Sequence, residues 1–124
     1  MAIIQSVIGG WYGTAQYQWS PMKFGDTGTP VGDPGTGDRT VQVHGTFGVG
    51  TVVQVEGTLD PATVGGAASN WFPLRDPLGN IINVTAPGIR AILENVLALR
   101  PHVTAGDGTE ALTTIIITRG PRNG

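Results

Sequence analysis

The sequence predicts an all-β chain: an antiparallel, jelly-roll-like β-sandwich with one long Gly/Pro-rich loop and at most one short helix. Three observations carry this. Short apolar runs recur along the 124 residues, divided by 20 Gly and 9 Pro together with Asn and Asp; many short strands with dense turn signals mark a sandwich or barrel. Within several runs apolar and polar residues alternate, the period-2 pattern of a strand with one face buried. The last run, LTTIIIT over 112–118, is dominated by β-branched residues, which favour strands. At this length one domain, 1–124, is expected.

Taken in order, residues 1–10 read as an N-terminal arm, with Ala2 to Ile8 either arm or strand. Tyr12 to Ser20 is a better strand, with Ala15, Tyr17 and Trp19 on one face and Gln16 and Gln18 on the other. Trp11, Tyr17 and Trp19 are expected to pack in the core, because large aromatics bury much area; the sharper alternative is a ligand-stacking platform. Residues 25–38, GDTGTPVGDPGTGD, read as a flexible loop, since such a composition cannot build a core. A loop this long is usually functional or mobile. Asp26, Thr29, Pro30, Asp33, Pro34 and Asp38 are therefore candidates for partner contact, on an arm that orders against a neighbouring subunit. Asp26, Asp33 and Asp38 also offer carboxylates suited to Ca²⁺. Their spacing is not that of an EF-hand and no Glu closes the loop, so solvated aspartates are the favoured reading and no metal or cofactor is expected.

Val41 to His44 and Thr51 to Glu56 alternate well. With Gly45, Gly48 and Gly50 around Phe47 they read as a β-hairpin with a Gly-rich turn. The loop from Asp60 to Asn70 follows, and Trp71 and Phe72 re-enter structure. Asp76-Pro77-Leu78-Gly79-Asn80 is a strong turn signal, and Asn80 to Val84 a short strand. In 88–100, Ile89, Ile92, Leu93, Val96, Leu97 and Arg100 fit one face of a helix, though short apolar runs are ambiguous by periodicity. Leu99 to Thr104 reads as extended, because Pro101 disfavours helix at Arg100. Gly106-Asp107-Gly108 reads as a hairpin turn. Leu112 to Thr118 belongs in the middle of a sheet, since on an edge it would be an aggregation hazard. Arg119 and Arg122, in the basic tail, are further contact candidates.

Composition narrows function. Only 13% of residues are charged, against a usual ~25%, so little charge keeps copies apart, which favours life inside an assembly. The net charge of −2 gives no basic field for nucleic acid. With no Cys, disulfides, thiol nucleophiles and thiolate metal sites are excluded. No run approaches the ~20 apolar residues of a membrane span. The first ten residues lack a basic n-region, so use without export by a signal peptide is expected. His44 and His102 stand in no catalytic motif, and the carboxylates mostly flank Gly or Pro, where turns and caps use them. A pair such as Glu56 and Asp76 has only its availability to recommend it for glycosidic chemistry. The chain is not expected to be an enzyme.

Three strings carry a resemblance. They are Gly45-Thr46-Phe47-Gly48-x-Gly50-Thr51-Val52 running on to Glu56-Gly57-Thr58-x-Asp60; Asn70-Trp71-x-x-Leu74-x-Asp76-Pro77-x-Gly79-Asn80; and Arg100-Pro101-x-Val103-Thr104-x-Gly106-Asp107-Gly108-Thr109. Over about Gly45 to Arg119 the chain resembles the small β-sandwich virion proteins of tailed bacteriophages, the capsid decoration or cement proteins in particular. The resemblance implies a structural protein that binds the outer surface of an assembled capsid and cements neighbouring major capsid protein subunits. It implies a homo-oligomer, most often a dimer or trimer, on virions assembled in the host cytoplasm. It also implies an inter-strand core role for Trp71, beside the other core or stacking aromatics Phe47 and Phe72. For 88–100 it implies two strands, which tilts the expectation to β with a bend near Glu94-Asn95, a one- to two-turn helix being the alternative. Related modules occur on tail fibres, so the second reading is a carbohydrate- or receptor-binding module of a phage tail or fibre, with Trp11, Trp19 and Trp71 as stacking surfaces. A tail-tube or baseplate protein is a third.

Overall fold

The computed structural model describes residues 5–7, 14–32, 38–59 and 70–119. Nine strands and no helix occur among them: β1 (Gln5–Val7), β2 (Thr14–Met22), β3 (Val31–Gly32), β4 (Asp38–Thr46), β5 (Val52–Thr58), β6 (Phe72–Pro73), β7 (Gly88–Ala91), β8 (Ala98–Ala105) and β9 (Ala111–Arg119). All pair antiparallel, in two sheets ordered β1-β2-β9-β4-β7 and β3-β8-β5-β6. Setting β1 aside, each sheet has four strands, and the chain changes sheet at six of the eight steps between successive strands. This is the connectivity of a jelly roll. Among the described residues no helix is long and apolar enough to cross a membrane.

The core lies between the sheets and follows from alternation along each strand. Trp19 of β2, Val41 and Val43 of β4, and Leu112 and Ile116 of β9 point in from one sheet. Val53 and Val55 of β5 and Leu99 and Val103 of β8 meet them from the other. Leu74, Ile82, Val84 and Ile92, on the links between strands, close the sides. β9 lies between β2 and β4, the central place its β-branched sequence calls for.

Two expected hairpins are absent. β4 pairs with β9 and β7, whereas β5 pairs with β8 and β6. The glycine-rich link at 47–51 is therefore an arch from one sheet to the other. The physical reason is burial: Val41, Val43, Val53 and Val55 are all at most 1% exposed. A hairpin would place all four in one layer with nothing opposite, whereas an arch lets the two strands cover each other. Gly106-Asp107-Gly108 likewise joins β8 to β9 in the opposite sheet.

The 88–100 region holds no helix. β7 is followed by an extended link and then β8. The backbone there bonds sideways to other segments: Ile92 N–H to the Arg39 carbonyl, Leu93 N–H to Arg75, and Leu97 N–H to Thr58. The helical stripe also fails as a packing face, since Ile92 is buried while Ile89 and Leu93 are 59% and 51% exposed. Asn80 to Val84 forms no named strand; only isolated bridges, Arg75 with Ile81 and Val53 with Val84, tie it in.

The first half of the 25–38 segment is bonded to β8. Gly25 N–H donates to the Val103 carbonyl, Val103 N–H to Asp26, and Gly28 N–H to Pro101. β3 then pairs with β8 and forms the edge of the four-stranded sheet. Residues 33–37, with Asp33 and Pro34, lie outside the described residues.

Candidate interaction surface

At one end of the sandwich three chain segments converge on two carboxylates. Glu110 stands just before β9 and is 6% exposed. Its Oε1 accepts from Phe24 N–H and Gly108 N–H, both at 3.0 Å. Its Oε2 accepts from the Thr51 hydroxyl at 2.6 Å and from Asp107 N–H at 2.9 Å. Asp107 Oδ2 accepts from Val49 N–H at 2.9 Å, while Oδ1 takes the Thr109 N–H and hydroxyl at 3.0 and 2.6 Å. The β2–β3 link, the β4–β5 arch and the β8–β9 arch are thus fastened to one another. Glycine is required at two points here: a Cβ on Gly48 would overlap the Asp107 carboxylate, and one on Gly106 that of Glu110.

Hydrogen bonds to an anion favour the charged form. The Thr109 hydroxyl, followed by Val49 N–H, holds the Asp107 carboxyl far below its ordinary range. The Thr51 hydroxyl does most to lower that of Glu110, against burial, which pushes it up. Two acids held as anions at neutral pH clamp the three segments together. The clamp presents apolar side chains to solvent: Phe24 is 50% exposed and Val49 82%, each on a backbone whose N–H is held by a carboxylate.

A second cluster lies on the outer face of the four-stranded sheet. Arg100 Nε–H donates to Glu56 Oε1 and His102 Nδ1–H to Oε2, both at 2.8 Å. The Arg100 guanidinium lies 4.2 Å from the centre of the Trp71 ring, a cation–π stack. Both Glu56 oxygens are thereby engaged, one by the Arg100 guanidinium and one by the His102 ring. Asp76 accepts from Leu78 and Asn80 N–H within its own turn.

The expected site residues scatter. Asp26 is buried and its carboxylate accepts from Lys23 N–H. Thr29 is exposed and its carbonyl accepts from Trp19 Nε1–H at 2.9 Å; Pro30 is half-buried. Asp38 and Arg119 are exposed and are brought together as cross-strand partners on β4 and β9. They line a groove of about 440 Å³ with Ile92, Leu93 and Ile117. Arg122 and Trp11 lie outside the described residues. Trp19 is fully buried, and Tyr17 and Phe47 pack against the core. Trp71 is half-buried outside the core cluster, and Phe72 is 65% exposed. Among the described residues no three His, Asp or Glu side chains converge as metal ligands. The Glu110 clamp was not among the sequence candidates; the Asp107-x-Thr109 spacing of an Asx turn was its one visible sign. No protein-family model and no curated protein matches the chain.

Proposed function

We propose that the chain is a structural virion protein that binds the outer surface of an assembled tailed-phage capsid and cements neighbouring major capsid protein subunits. The observation that carries this is the clamped end. Phe24 and Val49 stand in solvent on turns that Glu110 and Asp107 hold rigid. Apolar side chains on preorganised turns suit docking to another protein, because less conformational freedom is lost on binding. The resemblance over Gly45 to Arg119 supplies the identity of the partner. Several such contacts on adjacent subunits add by avidity. A protein that binds only the closed shell stabilises it by mass action.

The stacking-platform reading has less support. Trp19 is 0% exposed, and Arg100 covers a face of Trp71. Jelly rolls serve viral capsids and lectins alike, so the fold does not separate the two readings. Cryo-electron microscopy of the virion decides. The expected result is many copies on the outer capsid surface, bridging capsomers, with the Phe24 and Val49 end against the shell. Density confined to the tail or fibre would overturn the proposal.

A further inference from the structure

Asp107-Gly108 is the one Asp–Gly pair in the chain. Such a pair carries a chemistry of its own. The backbone nitrogen after an aspartate can attack the aspartyl carboxyl carbon, and glycine, with no Cβ, leaves that nitrogen uncovered. A C–N bond forms, the C–OH bond breaks, and the OH leaves with the amide proton as water, giving a cyclic succinimide. Water then adds back at either ring carbonyl. One opening returns aspartate; the other gives isoaspartate, whose main chain runs through the former side chain. The two products have equal mass, and no oxidant or reductant takes part.

The fold selects this pair where it stands. Gly108 has a φ of +88°, a left-handed conformation in which other residues are strained. Asp107 accepts from Val49 N–H and from both Thr109 donors, so its carboxylate ties the β4–β5 arch to the β8–β9 arch. The same contacts oppose the reaction. Ring closure needs a neutral carboxyl whose carbon swings onto the Gly108 nitrogen. Here Oδ2 is held by Val49 N–H at 2.9 Å, and Oδ1 by the Thr109 N–H and hydroxyl at 3.0 and 2.6 Å. Such bonds favour the ionised acid, which is the unreactive form. The attacking nitrogen is held as well: Gly108 N–H donates to Glu110 Oε1 at 3.0 Å, and Asp107 N–H to Oε2 at 2.9 Å.

We infer that Asp107 is a covalent modification site, whose isomerisation to isoaspartate is restrained by Glu110, Thr109 and Val49 and, once complete, opens the clamp. Isoaspartate lengthens the main chain at 107 by a methylene and leaves the carboxylate directly on the α-carbon. That carboxylate no longer reaches Val49 and Thr109 together, so the arch that carries Val49 is released. The inference concerns the chain's own chemistry and does not rest on the capsid reading.

Ageing the purified chain for weeks in warm neutral buffer tests it. The isoaspartyl peptide spanning 107 keeps its mass, changes its retention time and resists a protease that cuts before aspartate. Wild type unfolded in guanidinium chloride should build up this peptide, and folded wild type should do so several-fold more slowly. Glu110→Gln leaves one acceptor oxygen where there were two, and Thr109→Ala removes a donor to Asp107. Each should convert faster than the folded wild type while keeping its circular dichroism. Wild type aged unfolded and then refolded should lose hydrogen-exchange protection at the Val49 amide in proportion to its isoaspartate content. The inference is overturned if folded wild type converts as fast as the unfolded chain, if both folded variants keep the wild-type rate, or if converted protein keeps the Val49 protection. The two variants act on different contacts, so misfolding of one leaves the other to decide.

Discussion

Glu110 accepts four hydrogen bonds from three segments of chain, and its charge state is therefore tied to the integrity of one end of the sandwich. Both clamp acids have folded pKa values below their ordinary ones, 4.5 for Glu110 and 3.8 for Asp107. A depressed carboxyl pKa contributes stability that is fully present above the ordinary value and is lost as pH falls through the folded one. The thermal midpoint should stay level from neutral pH to about pH 5 and fall below about pH 4.5. Glu110→Gln should lower the midpoint at neutral pH, and its deficit against the wild type should shrink as the pH falls. Thermal scans of both proteins across this range check it; a deficit that stays constant with pH would show that the Glu110 charge plays no part. The position was hard to read from sequence because Gly106-Asp107-Gly108-Thr109 is an ordinary turn string. Only the folded chain reveals that Phe24, 86 residues away, donates to the same carboxylate.

Among the elements, β3 depends on a single close approach. A Cβ on Gly28 would lie 2.6 Å from Trp19 Cδ1 and 2.7 Å from the Pro101 ring. Gly28→Ala should therefore lift the 25–32 segment from β8 and weaken the Trp19 bond to Thr29, at a cost of about 1–3 kcal/mol. Hydrogen exchange should show faster loss at the Gly25, Gly28 and Val103 amides; unchanged protection at all three would refute this. The same segment shows what sequence conveys at this scale. Alternation in Ala15 to Trp19, Val41 to His44 and Thr51 to Glu56 identified strands and their buried faces, because side-chain period is a local property. It did not identify neighbours. Nothing local separates a glycine-rich hairpin turn from an arch, and the 25–32 residues hold to β8 largely through backbone groups that every sequence possesses. The 88–100 stretch misled periodicity for a related reason: its spacing of Ile and Leu suits a helix, but the chain satisfies those amides at Arg39, Arg75 and Thr58.

For the whole molecule the decisive strand is β9, flanked by β2 and β4 with Ile116 at the centre of the core. Ile116→Ala should cost about 2–5 kcal/mol in urea unfolding. Ile117→Ala, one residue on but pointing outward, should cost less, about 1 kcal/mol. Equal losses at the two positions would contradict the sandwich geometry. The β9 register joins Thr46 to Ala111 and Asp38 to Arg119, more than half the chain length apart, and the repeated crossing between sheets makes such distant partners the rule for the inner strands. No hairpin spans β4 and β5 or β8 and β9 to act as an early local nucleus. The chain must close large loops, at an entropic cost, before its central strand gains either neighbour. Refolding on the slow side, in milliseconds to seconds, is the consequence; until β9 is seated, its isoleucines are exposed to other unfinished copies.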